Sequence, residues 1–272
     1  MNILDNTSEF TLNSLTLPVW IAIGVVSLLI LVCSVFAIVF GIMLPIKYMR
    51  FNKKQTARGV AGKDVARDLL DKYGMEKIKV KKANIFTAFM VGNSYSHFFK
   101  RVRLRGLIYN KDSLTSVAIA GQKVGLAKLD KDGDKDMKRR IWLLPFLTFL
   151  GPWAFILLVV LGIVLDVILF KFSGILFLSF SILGVLFYLF CAFYQFIQLK
   201  TEKKAQDVAL DILVKENYLT AEEVKDAKEL YKVYNLNYIF DIIISILEAI
   251  LQILKIVLMV LSKSSSSSSS SN

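Results

Sequence analysis

Histidine and cysteine are scarce in this chain, which limits the metal sites that it could build. Its 272 residues include one histidine, His97, and two cysteines. A single imidazole excludes a metal site assembled from several histidines, because such sites take three or four ligands from the protein. Cys33 and Cys191 lie in separate apolar runs. This placement favours two small membrane-facing side chains over a disulfide bridge.

Acidic residues are also few compared with basic ones. The 22 aspartates and glutamates are outnumbered by 34 lysines and arginines, which leaves a formal net charge of +12. Such an excess predicts a basic surface toward an anionic partner, and anionic lipid at the cytoplasmic face is the simplest candidate. No RNA-binding pattern of interleaved basic and aromatic residues supports a specific nucleic acid partner.

Long uncharged runs indicate a protein of the lipid bilayer. Hydrophobic residues make up 55% of the chain and its mean hydropathy is +0.56, too apolar for an ordinary soluble domain. Residues 19–44 carry no charge and are long enough to cross a membrane. Residues 1–16 lack the basic start of a cleaved secretory signal. Five basic residues follow the run, so the positive-inside bias places the amino terminus outside the cell: Lys47, Arg50, Lys53, Lys54 and Arg58.

Two further apolar runs, at about 141–169 and 175–199, are separated by a short turn. So short a connection predicts an antiparallel transmembrane hairpin. Basic residues at both of its ends, such as Arg140 and Lys200, place those ends in the cytoplasm. Gly151 and Pro152 are expected to kink the first of the two spans. Asp166, near the turn, is expected at the outer interface rather than in a functional site within the membrane.

The last apolar run, residues 238–261, carries three charged side chains. Asp241, Glu248 and Lys255 are spaced seven residues apart and therefore share one helix face. That face must meet protein, water or headgroups, because charges facing lipid are costly. We predict a helix that packs against the other spans or lies along the inner interface, with a fourth span as the alternative. The poly-serine end is predicted to be disordered.

Residues 46–140 are predicted to form a small α+β segment. Periodicity and turn residues predict helices at 63–73 and 113–129 and strands at 78–82 and 101–109. Asp112 or Ser113 is well placed to cap the second helix, which we call the central helix.

Two features of this segment resemble metal-binding or proton-transfer sites, but each lacks residues that such a site needs. His97 has no second histidine to join it, so we interpret it as a partly exposed loop residue. The sequence DKDGDKD at 130–136 matches three EF-hand positions, but Lys135 replaces the required glycine and Ile141 the bidentate glutamate. We therefore predict a solvated loop.

The central helix carries the most informative spacing. Gln122 and Leu126 lie one turn apart with Lys123 beside them, which is the spacing of an HExxH zinc motif. The string VAIAGQKVGLA at 117–127 resembles the VAxAHEVGHA helix of the bacterial membrane-bound neutral zinc metallopeptidases. Three other stretches resemble that family in the same order: GKDVARDLLDKYGM at 62–75, QLKTEKKAQDVAL at 198–210 and LTAEEVKDAKELYK at 219–232.

The resemblance assigns roles to four positions. Gln122 and Leu126 stand where the family has its two histidines, Lys123 where it has the general base, and Glu202 where it has the third ligand. One of three zinc ligands remains, and an ammonium group repels a metal and cannot take a proton from water while it is charged. We therefore expect no catalytic residue, bound metal or cofactor. We predict that Lys123 and Glu202 form an ion pair with Gln122 as a further donor; the alternative is that both charges face water.

The sequence thus predicts an α-helical integral membrane protein, multi-pass in the cell membrane, with a small cytoplasmic α+β metallopeptidase-like segment and three or four membrane helices. The predicted segments are an extracytoplasmic tail (1–18), a transmembrane helix (19–45), the metallopeptidase-like segment (46–140), a transmembrane hairpin (141–199), cytoplasmic helices (200–236), an interfacial or transmembrane apolar helix (237–261) and a serine-rich tail (262–272). Its predicted function is non-catalytic binding or regulation of a membrane-protein partner. The alternatives are an active zinc metallopeptidase with an unconventional site and a basic membrane-surface tether.

Overall fold

A computed structural model describes residues 3–90, 92–150, 153–170 and 174–269. Helix dominates in the described residues, with one small sheet, as the sequence predicts. The elements are α1 (Ile3–Asn52), α2 (Gly62–Lys72), β1 (Lys79–Lys82), α3 (Ile85–Met90), β2 (Ser94–Ser96), β3 (Arg101–Leu104), α4 (Gly106–Tyr109), α5 (Leu114–Lys131), α6 (Lys135–Leu150), α7 (Trp153–Phe170), α8 (Ile175–Lys215) and α9 (Ala221–Ser269). Two compact units result. The apolar unit contains residues 1–37, 146–193 and 240–272, and the core unit contains residues 38–145 and 194–239.

Three helices in the described ranges are long and apolar enough to cross a membrane: Leu17–Asn52, Ile175–Lys215 and Ala221–Leu261. This agrees with the predicted membrane helices. The predicted span at 141–169 is instead divided between α6 and α7, and the shorter apolar helix Ile156–Phe170 forms its second part. Gly151 and Pro152, where a kink was expected, lie outside the described residues.

The predicted hairpin is formed by α7 and α8 in the apolar unit. Gly162 permits their close approach, because a Cβ atom there would lie 2.8 Å from the Cβ of Phe180. The buried carboxylate of Asp166 accepts hydrogen bonds from the backbone N–H groups of Gly174, at 2.6 Å, and Leu176, at 3.1 Å. Asp166 therefore caps the first turn of α8, where unpaired backbone donors need an acceptor.

The sheet of the core unit has the strand order β1-β3-β2, with β1 parallel and β2 antiparallel to β3. Val102 and Leu104 on its inner face are fully buried in the main core with α2 and α5. The strand predicted at 101–109 is wrong beyond Leu104, because residues 106–109 form the short helix α4. The alternation of basic and apolar residues stops at Gly106, and a helical turn there buries Ile108 in the core.

The helices predicted within residues 200–236 are the polar ends of α8 and α9. The turn between them places Asn217 at a φ of 57°, a left-handed conformation that asparagine tolerates. A capping box begins α9, since the backbone N–H of Thr220 donates to the Glu223 carboxylate and that of Glu223 donates to the Thr220 hydroxyl.

Candidate functional site

The central helix, α5, is the most buried helix of the core unit. Ser113 caps it as predicted, and its hydroxyl accepts the backbone N–H of Ser116 at 3.2 Å. Two glycines one turn apart face α8. A Cβ on Gly121 would lie 2.5 Å from Leu213 Cδ1, and one on Gly125 would lie 2.3 Å from the carbonyl oxygen of Ala205. The absence of side chains at both positions lets the two helices approach closely and brings residue 202 against residues 122 and 123.

The Glu202 carboxylate accepts hydrogen bonds from three side chains. Gln122 Nε2 lies 2.8 Å from Oε2, Lys123 Nζ lies 3.2 Å from the same oxygen, and Arg140 Nη2 lies 2.9 Å from Oε1. The side chains of Lys123 and Glu202 are only 3% and 2% exposed. The predicted ion pair and the predicted donation from Gln122 are confirmed, and the alternative that both charges face water is wrong. We call these four residues the charge cluster.

Electrostatics favour the ionised forms of Glu202 and Arg140 although both side chains are buried. Glu202 lies beyond the apolar part of α8, which ends at Leu199. Burial by itself raises the pKa of Glu202, but the charges and hydrogen bonds of Lys123 and Arg140 outweigh it and hold this pKa below its usual value. For Arg140, burial lowers the pKa, but the charge of Glu202 outweighs burial and raises it. Two cations and one anion leave the cluster with one excess positive charge.

Leu126, the fourth predicted position, lies on the same side of α5. It is buried against Leu129, Met137 and Ala205, and Ala205 is one turn beyond Glu202 on α8. All four positions assigned by resemblance therefore lie along one α5–α8 contact. At Leu126, the position of the family's second histidine, this contact is apolar.

Sequence reasoning missed the role of Arg140. From the sequence, Arg140 is assigned only to the basic end of the predicted hairpin. Its guanidinium instead turns inward to Glu202, and its side chain is 16% exposed. A position at the membrane boundary does not distinguish an outward cation from an inward one. One signal could have identified Arg140. A buried carboxylate such as that of Glu202 is costly unless it is hydrogen-bonded, so further donors were to be expected near it.

The residues present do not fit the zinc ion that the resemblance implies. The only carboxylate of the cluster is engaged by three donors, and two of these are cations that a metal would have to displace. Within the described ranges, no three His, Cys, Asp or Glu side chains are grouped so that they could hold a metal ion. A catalytic zinc requires three protein ligands and an open position for water.

The remaining candidates lie apart from this site. His97 Nδ1 lies 2.6 Å from Asp130 Oδ2, and the Tyr95 hydroxyl donates to the same carboxylate at 2.5 Å. Asp132 pairs with Lys128, whereas Asp134 accepts the first backbone N–H groups of α6. The three aspartates of the EF-hand-like stretch thus have separate partners, which agrees with the predicted loop. Cys33 and Cys191 are free thiols, as predicted.

Comparisons with known proteins agree with the family resemblance of the sequence. The family model described as "Putative neutral zinc metallopeptidase" matches residues 26–261. The chain is similar to a Bacillus subtilis (strain 168) protein described as "Putative membrane protease YugP", with 22% identity over 201 residues that cover 73% of this chain and 82% of the relative. No solved structure matches the chain. Its three long apolar helices and this relative indicate a membrane protein.

Proposed function

The chain belongs to the neutral zinc metallopeptidase family, and we propose that it is a catalytically inactive member that acts by binding or regulating other membrane proteins. The charge cluster is the observation that carries this proposal. Glu202, at the position of a zinc ligand, is held by Gln122, Lys123 and Arg140. An ammonium beside it repels a metal ion and cannot act as a general base while it is charged.

Metal analysis and a protease assay test this proposal. Protein purified in mild detergent is analysed for bound metal and incubated with casein, with and without a chelator. We expect far less than one zinc per chain and no cleavage that the chelator abolishes. Stoichiometric zinc with chelator-sensitive cleavage would refute the proposal in favour of an active enzyme with an unconventional site.

A variant in which the zinc motif is restored tests the same proposal through a gain of zinc binding. Gln122→His, Lys123→Glu and Leu126→His together recreate HExxH on α5 and retain Glu202 as the third ligand. Arg140→Leu is added because the guanidinium would still compete for Glu202. We expect this fourfold variant to bind about one zinc per chain, and the variant that retains Arg140 to bind zinc more weakly. If the folded fourfold variant binds no zinc, the assignment of these positions by resemblance is wrong.

Regulation of a membrane-protein partner fits an inactive member of the family. The protein would retain the fold of the family while lacking the groups that cut a bond. Partners retained on the wild-type protein in mild detergent, and lost from a folded Gly125→Ala variant that separates α5 from α8, would support a binding surface whose shape depends on this contact. Equal retention by both would place the binding surface elsewhere.

A further inference from the structure

The outer face of the sheet is basic. The register pairs Lys79 with Arg101 and Lys81 with Arg103, so four cationic side chains alternate with the inward-facing Val80 and Val102. The third strand adds only Ser94 and Ser96 to this face. We call the four cations the basic face.

Among the residues that the structure describes, no carboxylate forms an ion pair with the basic face. Every ion pair found among the described residues lies elsewhere, and Arg101 Nε is buried without a hydrogen-bond partner. Burial and the neighbouring charge of Arg101 lower the pKa of Arg103. Like charges placed opposite each other destabilise a sheet, so this arrangement favours an anion from outside the chain.

Exposed phenylalanines adjoin the basic face. Phe98 and Phe99, in the turn between β2 and β3, are 60% and 67% exposed. The Arg101 guanidinium lies over the Phe99 ring, 4.2 Å from its centroid, so this ring belongs to the same side of the sheet. At the other end of β1, Ile85 and Phe86 are 92% and 72% exposed. Apolar side chains beside unpaired cations are typical of surfaces that enter the headgroup region of a bilayer.

Contacts connect the turn that carries Phe98 and Phe99 to the region of α8 just beyond Leu199, where the apolar part of this helix ends. His97, next to Phe98, bonds Asp130 at the end of α5. The following turn contains Asp134, whose carboxylate lies 2.9 Å from Lys204 Nζ. Lys204 is five residues beyond Leu199, the last apolar residue of that part of α8. A short chain of contacts within the core unit therefore connects the turn to the membrane boundary.

We propose that the basic face is a lipid-docking surface, which binds anionic phospholipid headgroups while Phe98 and Phe99 enter the interface. Each lysine or arginine near an anionic leaflet strengthens such binding about fivefold. The proposal is independent of whether the protein cleaves peptides.

Hydrogen exchange of the full chain in nanodiscs tests the proposal. One set of discs contains phosphatidylcholine alone, and the other contains phosphatidylserine as well. We expect peptides covering residues 79–104 to exchange at least tenfold more slowly in the anionic discs. Raising the salt concentration should reduce this protection, because surface charges are screened beyond about 8 Å at 0.15 M salt.

Two fourfold variants identify the surface. Lys79, Lys81, Arg101 and Arg103 are changed to Gln in the first, which should lose the lipid-dependent protection. The matched control changes Lys111, Lys215, Lys225 and Lys228 to Gln, removes the same charge and should keep the lipid-dependent protection. Equal exchange in both disc types, or equal loss in both variants, overturns the proposal. So does protection that appears only when an RNA oligonucleotide is added, because the face would then bind nucleic acid.

Discussion

At the scale of single residues, the charge cluster differs from an ordinary buried ion pair because it holds two cations and one anion. Breaking a buried pair by removing one partner commonly costs 3–5 kcal/mol, because an uncompensated charge remains. Here Lys123 and Arg140 share Glu202, so loss of either cation leaves a neutral pair. Loss of the carboxylate leaves two adjacent buried cations.

This asymmetry predicts a ranking of stabilities. Glu202→Gln should lower the free energy of unfolding by about 3–5 kcal/mol, whereas Lys123→Met and Arg140→Leu should each cost about 1–2 kcal/mol, comparable to one charged hydrogen bond. Thermal unfolding in detergent provides the measurement.

Lys128→Met is the matched control, because this lysine is on the same helix but pairs with an exposed aspartate. It should change stability by at most about 0.5 kcal/mol. The ranking is contradicted if Lys123→Met proves as damaging as Glu202→Gln.

Part of this cluster was predictable from the sequence. Resemblance placed Gln122 and Lys123 on one helix with Glu202 opposite, and the cost of an isolated buried carboxylate predicted the pairing. Arg140 was not predictable, because an arginine at a membrane boundary has the same local sequence whether it turns toward lipid headgroups or toward the core. Only the packing of α6 against α5 and α8 decides between these orientations.

At the scale of elements, the contact between α5 and α8 depends on Gly125. Gly125→Ala would place a methyl group 2.3 Å from the backbone oxygen of Ala205, which cannot rotate away as a side chain would. The helices must separate, and we expect a loss of about 1–3 kcal/mol in unfolding free energy.

Gly24→Ala is the control, because a Cβ there meets nothing within 4 Å. This variant should be neutral or slightly more stable, since alanine favours helix over glycine. Equal melting temperatures for the two variants would show that the helices are not in close contact at Gly125.

Element boundaries show which sequence signals are reliable. The capping group of Ser113 predicted a helix start correctly, because a cap acts through a few local hydrogen bonds. The strand predicted at 101–109 was too long. No element was predicted between Ala83 and the next strand, because α3 and β2 are too short to leave a periodic pattern.

At the scale of the whole molecule, the open question is how often the chain crosses the membrane. Cationic clusters after the first run and at both ends of the hairpin favour an amino terminus outside. Glu248 of α9 accepts a hydrogen bond from Tyr188 of α8, within the apolar unit. Tyr188 is twelve residues before Lys200, which corresponds to about 18 Å along a helix. Glu248 thus meets α8 well inside its apolar part, which favours a fourth span.

We therefore expect both ends of the chain to lie outside the cell. An epitope tag before Met1 and another after Asn272 should both be labelled by antibody on intact cells, whereas a tag inserted beside Gly59 should be labelled only after permeabilisation. Gly59 is a suitable site because it lies in an exposed turn with a φ of 60°. A carboxyl-terminal tag that requires permeabilisation would instead indicate that α9 lies along the inner interface. Labelling of the Gly59 tag on intact cells would reverse the proposed orientation and place the charge cluster outside.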